Sequence, residues 1–265
     1  MGHDLPFTWR KREDDMSHVA HRFTGSTVIV TGAGSGIGRA TAERLLTEGA
    51  RVVAVDLVSD RLSRLVEEVE GEVISVPLDI TEPTAAAHIV DVAGARIDGL
   101  ANVAGIMDGF EPTAEVSDAT WERVMAVNVT AMMRLTRAVL PHMLEREHGS
   151  IVNVGSEAGQ RGSAAGTPYT TSKHAVNGFT RSTAVFYTPK GVRCNAVAPG
   201  PVATGIEAPF HSEWAQQRLG PLFQTNIPAV ARPEELAAAI TWLLSEDASN
   251  VSGAVLSVDG GWAAI

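Results

Sequence analysis

The stretch that decides the fold is VIVTGAGSGIG, residues 28–38, which an amphipathic helical pattern follows. A β-branched run that leads through glycines into a helical pattern predicts a strand, a tight turn and a helix. Glycines at such a turn let a pyrophosphate approach the free N–H groups at the start of the helix. The spacing is Thr31-Gly32-x-x-x-Gly36-x-Gly38 rather than Gly-x-Gly-x-x-Gly. A purely structural turn would also be rich in glycine, so it is the position between strand and helix that favours a dinucleotide site.

Apolar runs of strand length alternate with helical patterns along the rest of the chain. The runs predicted as strands are residues 27–30, 51–56, 73–78, 99–103, 150–154, 192–197 and 254–258, and the clearest helical stretches are 39–48, 62–69 and 121–146. Continuously apolar runs are typical of strands buried on both faces of a parallel sheet. We therefore predict one α/β domain over residues 21–265, a doubly wound Rossmann fold with about seven parallel strands and helices on both faces.

Composition narrows the class of protein. The chain has 265 residues, a formal charge of −10 and one cysteine, Cys194. The acidic balance disfavours nucleic acid as a partner, and no apolar run approaches the ~18–20 residues of a membrane span. One cysteine and scattered histidines form no metal set, and Cys194, inside an apolar run, is predicted to be a buried thiol. Residues 1–20 show no secretory signal and are interpreted as a flexible arm ahead of a cytoplasmic domain.

Asp56 closes the predicted second strand, close to the ~20 residues after the glycines at which an acid binds the adenosine ribose. A carboxylate there accepts hydrogen bonds from both ribose hydroxyls and repels a 2′-phosphate. Because the glycine loop itself contains no basic residue, the pattern predicts NAD rather than NADP. The alternative is a solvated aspartate at a strand end.

Tyr169 and Lys173 are four residues apart, on one face of a helix that Thr167 and Pro168 are predicted to open as N-cap and first residue. A phenol has a pKa of about 10 and is a poor base at neutral pH. A lysine and a nicotinamide cation close by would both favour the phenolate. Taken alone, such a pair is common on helix surfaces.

Several short motifs and single residues follow one another along the chain: Thr31-Gly32-x-x-x-Gly36-x-Gly38, Asp79, Asn102-Val103-Ala104-Gly105, Asn128, Ser156, Tyr169-x-x-x-Lys173 and Pro199-Gly200. In these residues and in their order, the chain resembles the short-chain dehydrogenase/reductase family over residues 23–262. Ser156 precedes Tyr169 by the family's own spacing. One departure is Val103, which stands where the family usually has a second asparagine.

The resemblance implies a Ser-Tyr-Lys-Asn catalytic set. Tyr169 would be the general acid/base toward the substrate oxygen, and Lys173 would lower its pKa and bind the nicotinamide ribose. Ser156 would hydrogen-bond the same substrate oxygen. Asn128 would hold a local helix distortion and a water that links Lys173 to solvent.

The resemblance also assigns residues to an NAD cofactor. Those implied at its pyrophosphate, riboses, adenine and nicotinamide are Gly32, Ser35, Gly36, Ile37, Gly38, Asp56, Asp79, Ile80, Asn102, Ala104, Gly105, Tyr169, Lys173, Pro199, Gly200, Val202 and Thr204. Among them, Asp79 and Ile80 would meet the adenine, and Thr204 would contact the nicotinamide.

Residues 204–232 show no strand character and are predicted to form a long irregular insertion that acts as a lid over the substrate. Their apolar side chains, Trp214 and Phe223 among them, predict a hydrophobic alcohol or ketone of cyclic, steroid-like or acyl type. Packing of an ordinary surface helix is the alternative. Trp262 is predicted either at a subunit interface or beside a neighbouring cleft.

The function predicted from these observations is hydride transfer between NAD(H) and a secondary alcohol or ketone. Alternatives are an NADPH-dependent 3-oxoacyl-thioester (acyl-carrier-protein) reductase and a non-catalytic dinucleotide sensor, although the complete catalytic set disfavours the sensor. Apolar residues on more than one face of 121–144 predict a homo-oligomer, a dimer or tetramer. Glu157 directly follows Ser156 and is interpreted as a loop carboxylate. The alternative is that its side chain faces the substrate.

Overall fold

Within residues 19–206 and 208–265, which the computed structural model describes, seven parallel strands form one sheet. The strands are β1 (Thr27–Thr31), β2 (Arg51–Asp56), β3 (Glu72–Pro77), β4 (Gly99–Asn102), β5 (Gly149–Val154), β6 (Val192–Pro199) and β7 (Val255–Val258). Their order is β3-β2-β1-β4-β5-β6-β7, so the direction of the strand order reverses between the neighbours β1 and β4. In sheets of this kind ligands bind at the carboxyl ends of the strands, beside that reversal.

Helices cover both faces of the sheet. They are α1 (Gly36–Thr47), α2 (Ser59–Glu68), α3 (Ala85–Ala93), α4 (Asp118–Met125), α5 (Met132–Glu145), α6 (Thr167–Tyr187), α7 (Glu213–Asn226) and α8 (Pro233–Leu244). Alternate residues of β1 show the arrangement. Val28 and Val30 pack into an apolar cluster with α1, α2 and α8, whereas Ile29 packs with α3 and α5 on the opposite face. The predicted doubly wound Rossmann fold is confirmed.

The helix predicted over 121–146 is interrupted. Residues Ala126–Ala131 form a π-helical turn between α4 and α5. Such a turn inserts one extra residue into the helical repeat and rotates the side chains beyond it. Several apolar side chains of this stretch, such as Leu135 and Met143, are buried within the chain itself, whereas Val185 and Phe186 on α6 are strongly exposed.

Residues 204–232 are not irregular throughout, contrary to the prediction. Ser212 accepts a hydrogen bond from the Ala215 amide (3.0 Å) and opens α7. Gly220 and Pro221 lie inside this helix and made the stretch resemble a loop. Because Pro221 is exposed, water can satisfy the carbonyl group that its ring leaves without an amide partner.

The start of the domain is anchored by Arg22 and Phe23. Arg22 Nε donates to Glu48 Oε2 at 2.7 Å, and Phe23 is buried in the core. The predicted arm, residues 1–20, lies outside the described residues except for its last two. In the described part of the chain, each helix is too short or too polar to cross a membrane.

Candidate active site

The glycine loop between β1 and α1 has the shape of a phosphate cradle. Gly32 and Gly36 have φ values of +69° and +50°, in the left-handed region that side chains disfavour. A Cβ on Gly38 would lie 2.1 Å from the carbonyl oxygen of Gly32, so only glycine fits there. Ser35 and Ile37, at the start of α1, line the cleft above the loop. The first amides of the helix are therefore placed where an anion can reach them.

The loop after β6 covers the glycine loop. A Cβ on Gly36 would lie 2.9 Å from the Cβ of Thr204, so the two loops are in direct contact. Pro199 ends β6, and Gly200, Val202 and Thr204 follow it along the wall of the same cleft. The residues predicted at the nicotinamide therefore face the residues predicted at the pyrophosphate.

Asp56 lies at the end of β2 with its carboxylate against the glycine loop. Its Oδ2 accepts a hydrogen bond from the Gly34 amide and its Oδ1 accepts one from the Val58 amide, both at 2.9 Å. Two amides hold the carboxylate, and a second lone pair on each oxygen stays available to a ligand hydroxyl. The base of the Arg61 side chain lies against the same loop, because a Cβ on Gly34 would lie 2.8 Å from the Arg61 Cβ. The glycine spacing did not indicate that cation.

Four residues predicted at the cofactor, Asp56, Asp79, Ile80 and Asn102, lie outside the lining of this cleft. Asp79 is exposed and accepts a hydrogen bond from the Thr81 amide (2.8 Å), and Ile80 borders a small separate cavity. Asn102 is buried, and its Nδ2 donates to Asn153 Oδ1 at 2.8 Å. The side-chain nitrogen of Asn102 is therefore used inside the sheet.

Asn128 lies in the π-helical turn and holds the segment that follows Gly105. Its Oδ1 accepts from the Ile106 amide (2.9 Å), and its Nδ2 donates to the Ile106 carbonyl oxygen (3.0 Å) and to Ser172 Oγ (3.1 Å). The helix distortion that the resemblance implied is present. Because both ends of the amide group are used within the chain, Asn128 positions α6 and this segment.

Lys173 is 3% exposed on α6 and donates from Nζ to the carbonyl oxygen of Val154 at 2.8 Å. Burial lowers the pKa of this amine to about 8. A Cβ on Gly105 would lie 3.5 Å from Nζ, so the glycine leaves the space in front of the amine open. The remaining N–H bonds can therefore serve a ribose hydroxyl in the cleft.

Tyr169 lies one turn before Lys173, with the amine 5.3 Å from the centre of the phenol ring. Burial raises the pKa of Tyr169 to about 12, while a hydrogen bond with Ser156 opposes this and the Asp108 carboxylate adds to it. Tyr169 is therefore protonated at neutral pH and suited to act as an acid.

Most of the predicted site residues converge on one cleft of about 330 Å³. Those that line it are Gly32, Ser35, Gly36, Ile37, Gly38, Ala104, Gly105, Ser156, Tyr169, Lys173, Pro199, Gly200, Val202 and Thr204. Among the described lining residues, the ionisable side chains are Tyr169 and Lys173. The cleft can therefore hold a dinucleotide along the glycine loop and present an uncharged substrate beside the phenol.

The far end of the cleft has an apolar wall. Its side chains come from separate parts of the chain and include Met107, Phe110, Ile206, Phe223 and Trp262. Phe110 stacks on Phe210 with ring centroids 4.3 Å apart, and Phe223 meets Trp262 edge-on at 6.1 Å. Phe110 follows no motif and was not predicted. Trp214, predicted at the substrate, is 59% exposed and lies outside the cleft.

A buried ion pair holds Trp262 in that wall. Glu157 is 1% exposed, and its Oε1 lies 2.7 Å from Arg161 Nε. The Arg161 guanidinium stacks over the Trp262 ring at 4.7 Å and donates to the Ile265 carbonyl oxygen at 2.9 Å. Burial raises the pKa of Glu157, and Arg161 opposes this. Glu157 is therefore neither an exposed loop carboxylate nor a cleft residue, but connects the Ser156 loop to the C-terminal turn.

Known proteins resemble this chain over nearly its whole length. The family model for the short chain dehydrogenases matches residues 26–214. The short chain dehydrogenase adrF of Penicillium roqueforti is 39% identical over 251 residues, which are 90% of this chain and 97% of that protein. The 3beta-hydroxysteroid dehydrogenase 2 of Eggerthella lenta is 36% identical over 262 residues, which are 94% of this chain and 100% of that protein.

Solved structures share the fold. Levodione reductase matches with a TM-score of 0.83 and 34% identity, over 91% of this chain and 99% of its own. A proposed gluconate 5-dehydrogenase from Beutenbergia cavernae, with NADP at low occupancy, matches with a TM-score of 0.82 and 35% identity, over 93% of this chain and 100% of its own. A 3-oxoacyl-[acyl-carrier protein] reductase from Brucella melitensis, with bound NAD, matches with a TM-score of 0.82 and 30% identity, over 93% of this chain and 94% of its own. On the family match and on these likenesses, the chain belongs to the short-chain dehydrogenase/reductase family.

Proposed function

We propose that the protein is an NAD-dependent dehydrogenase that interconverts a secondary alcohol and a ketone on a hydrophobic, ring-bearing substrate. The observation that carries the proposal is the shared cleft, in which Tyr169 and Ser156 lie between a glycine cradle and an apolar wall. The cradle suits a dinucleotide, and the wall suits an uncharged substrate. A relative is named a 3beta-hydroxysteroid dehydrogenase, which supports a substrate with fused rings.

The chain's own residues would handle the proton, while a bound NAD would supply the hydride acceptor at its nicotinamide ring. In the reduction direction, protonated Tyr169 donates from Oη to the carbonyl oxygen. Ser156 Oγ accepts from the Ala158 amide (3.1 Å), which leaves its own proton to hydrogen-bond the same substrate oxygen. In the oxidation direction Tyr169 must lose its proton, and the Lys173 ammonium stabilises the resulting phenolate.

Lys173 and Asn128 support this chemistry from the side away from the substrate. The bond to Val154 fixes the amine, so that its other N–H groups serve the nicotinamide ribose. Asn128 holds both Ile106 and Ser172, and thereby fixes the segment in front of the amine relative to α6. We expect the proton that Tyr169 exchanges to reach solvent past Lys173.

The preference for NAD depends on Asp56. Its carboxylate would accept hydrogen bonds from the hydroxyls of the adenosine ribose and would repel a 2′-phosphate. Arg61 opposes this effect, because a guanidinium attracts phosphate. We expect Asp56 to dominate, because it is 9% exposed and fixed by two amides, whereas Arg61 is exposed and screened by solvent.

A panel of secondary alcohols with NAD and with NADP, followed by the absorbance of the reduced cofactor, tests this function. We expect turnover of cyclic and steroidal alcohols. The kcat/KM with NAD is expected to be at least about tenfold higher than with NADP, which corresponds to a free-energy difference of ~1.4 kcal/mol. If a 3-oxoacyl thioester with NADPH gave the highest kcat/KM, the result would favour the acyl-carrier-protein reductase. A solved reductase of that kind, which is 30% identical to this chain, supports this alternative. Binding of NADH without turnover of any panel member would favour the dinucleotide sensor.

We also propose that the protein is a cytoplasmic homo-oligomer, a dimer or tetramer. Val185 and Phe186 on α6 are 73% and 67% exposed, and exposed apolar patches commonly mark an interface. Cys194 is buried as predicted, and a chain with one cysteine forms no intramolecular disulfide, which suits a reducing compartment. Sedimentation velocity at micromolar concentration checks the assembly, and a monomer would contradict it.

A further inference from the structure

A buried carboxylate from a distant segment closes the start of the helix that carries Tyr169. The sequence predicted Thr167 as the N-cap of α6, but the helix already begins there and Gly166 is the N-cap. Gly166 has no side chain with which to bind the first amides of the helix. Asp108, 61 residues before Tyr169, takes that place: its Oδ2 accepts a hydrogen bond from the Tyr169 amide at 2.8 Å.

The surroundings of Asp108 are shaped to hold it. Its side chain is 2% exposed, and the amides of Phe110 and Gly166 also donate to it. A Cβ on Gly166 would lie 2.6 Å from Asp108 Oδ2 and 2.5 Å from the Glu111 amide nitrogen, so a larger residue would displace the carboxylate. The Thr167 amide donates to the Glu111 carbonyl oxygen at 2.9 Å. The turn over 108–111 is therefore joined to α6 at two points.

The same turn carries part of the apolar wall. Phe110 has a φ of +59°, which is uncommon for a residue with a side chain. Asp108 Oδ1 accepts from the Phe110 amide at 3.0 Å and stabilises that conformation, which places the Phe110 ring in the cleft and against Phe210. One carboxylate thus connects the backbone of Tyr169 to an aromatic ring that would contact the substrate.

We propose that Asp108 is a positioning residue for the reaction. One carboxylate oxygen fixes the first turn of α6, and with it the Tyr169 hydroxyl, while the other fixes the Phe110 ring. The proposal rests on the proposed function, because it assumes that Tyr169 exchanges the proton. Its effect on rate comes from geometry, since a misplacement of ~1 Å at the reacting groups can cost about 100-fold.

The first test compares Asp108→Ala and Asp108→Asn with Ser117→Ala. Ser117 is a matched control, because its Oγ caps α4 by accepting from the Thr120 amide at 3.1 Å. We expect Asp108→Ala to lower kcat about 10- to 100-fold and to raise the substrate KM, with the Kd of NADH changed less than about twofold. Asp108→Asn keeps one acceptor oxygen but turns an NH2 group toward a backbone amide, so it is expected to lower kcat about 3- to 10-fold, less than Asp108→Ala. Ser117→Ala is expected to lower Tm and leave kcat unchanged.

A double-mutant cycle with Tyr169→Phe decides whether Asp108 acts through the phenol. If it does, Asp108→Ala changes the residual rate of Tyr169→Phe by less than about twofold. Equal losses in both backgrounds, or an unchanged kcat in Asp108→Ala, would overturn the proposal. If Asp108→Ala does not fold, Asp108→Asn is used in the same cycle, and the same outcomes decide. The proposed function fails separately, when Tyr169→Phe alone keeps the wild-type kcat.

Discussion

One end of the cleft is formed mainly by backbone groups and the other mainly by apolar side chains. The cofactor end, Gly32 to Gly38 with Asp56, is made of glycines in left-handed conformations, helix amides and a carboxylate fixed by two amides. The substrate end is made of the side chains of Phe110, Phe223 and Trp262, which come from three separate segments. Backbone geometry requires certain residues at certain spacings, whereas an apolar wall requires only volume and shape. One end is therefore recognisable in the sequence, and the other emerges only when the chain is folded.

The largest effect on kcat is expected from a substitution of Tyr169, which lies where the two ends of the cleft meet. Tyr169→Phe removes the hydroxyl that we propose exchanges the proton, so we expect kcat to fall about 1000-fold while the Kd of NADH changes less than about twofold. Tyr187→Phe alters the chain's other tyrosine, outside the cleft, and is the control. Steady-state kinetics and a fluorescence titration measure the two quantities. Full activity in Tyr169→Phe would remove this residue from the mechanism.

Lys173 is expected to support catalysis at a cost in stability. Its pKa is lowered to about 8 in the folded protein from an ordinary 10.5. Lys173→Met removes a buried charge, so we expect most activity to be lost but the free energy of unfolding at pH 7 to rise, by up to about 3 kcal/mol. Calorimetry of both proteins measures the gain.

The same pKa determines how that gain depends on pH. Between pH 8 and 10.5 the folded lysine has lost its proton while the unfolded one still holds it. The wild type therefore gains stability as the pH rises through this range, and the advantage of Lys173→Met shrinks. An advantage that stays constant or grows with pH would show that the buried amine is not the cause.

At the cofactor end, Asp56→Asn removes the charge that would repel a 2′-phosphate. We expect the affinity for NADPH relative to NADH to rise about tenfold, or ~1.4 kcal/mol, and Arg61→Ala in the same background to cancel part of the gain. Asp60→Asn, at an exposed acid in the first turn of α2, is the matched control. An unchanged preference in Asp56→Asn would place cofactor selection elsewhere.

At the substrate end, Trp262→Ala opens the apolar wall. We expect the KM of a hydrophobic substrate to rise about fivefold, or ~1 kcal/mol, with the Kd of NADH unchanged. Trp214→Ala removes a tryptophan of equal size from the exposed side of α7 and is expected to leave both values unchanged. The reverse result, an effect of Trp214 but not of Trp262, would mean that the substrate enters over α7.

The sheet could be predicted closely because its strands are buried on both faces. The bounds of β2 agree with the prediction at both ends, whereas β6 runs two residues further than predicted. Ala198 and Pro199 are poor strand formers, but they pair with Ser257 and Val258 of β7. Pairing with β7 extends β6, and the residues of β6 themselves do not indicate this pairing.

Some residues of the candidate site could also be predicted from local sequence, and others could not. The glycines, Tyr169 and Lys173 could be predicted because their roles require fixed spacings within one turn or one helix. Asp108 and Phe110 could not, because their partners lie about 60 residues or more along the chain and are reached only through folding. The π-helical turn at Asn128 has no residue pattern of its own, and the resemblance alone indicated it.

The most direct test of the central claim is a crystal structure with NADH and a ketone that the enzyme reduces. We expect the ketone oxygen within about 3.2 Å of both Tyr169 Oη and Ser156 Oγ, the rings against Phe110 and Trp262, and the adenosine ribose beside Asp56. A ketone oxygen that lies away from Tyr169 would contradict the account.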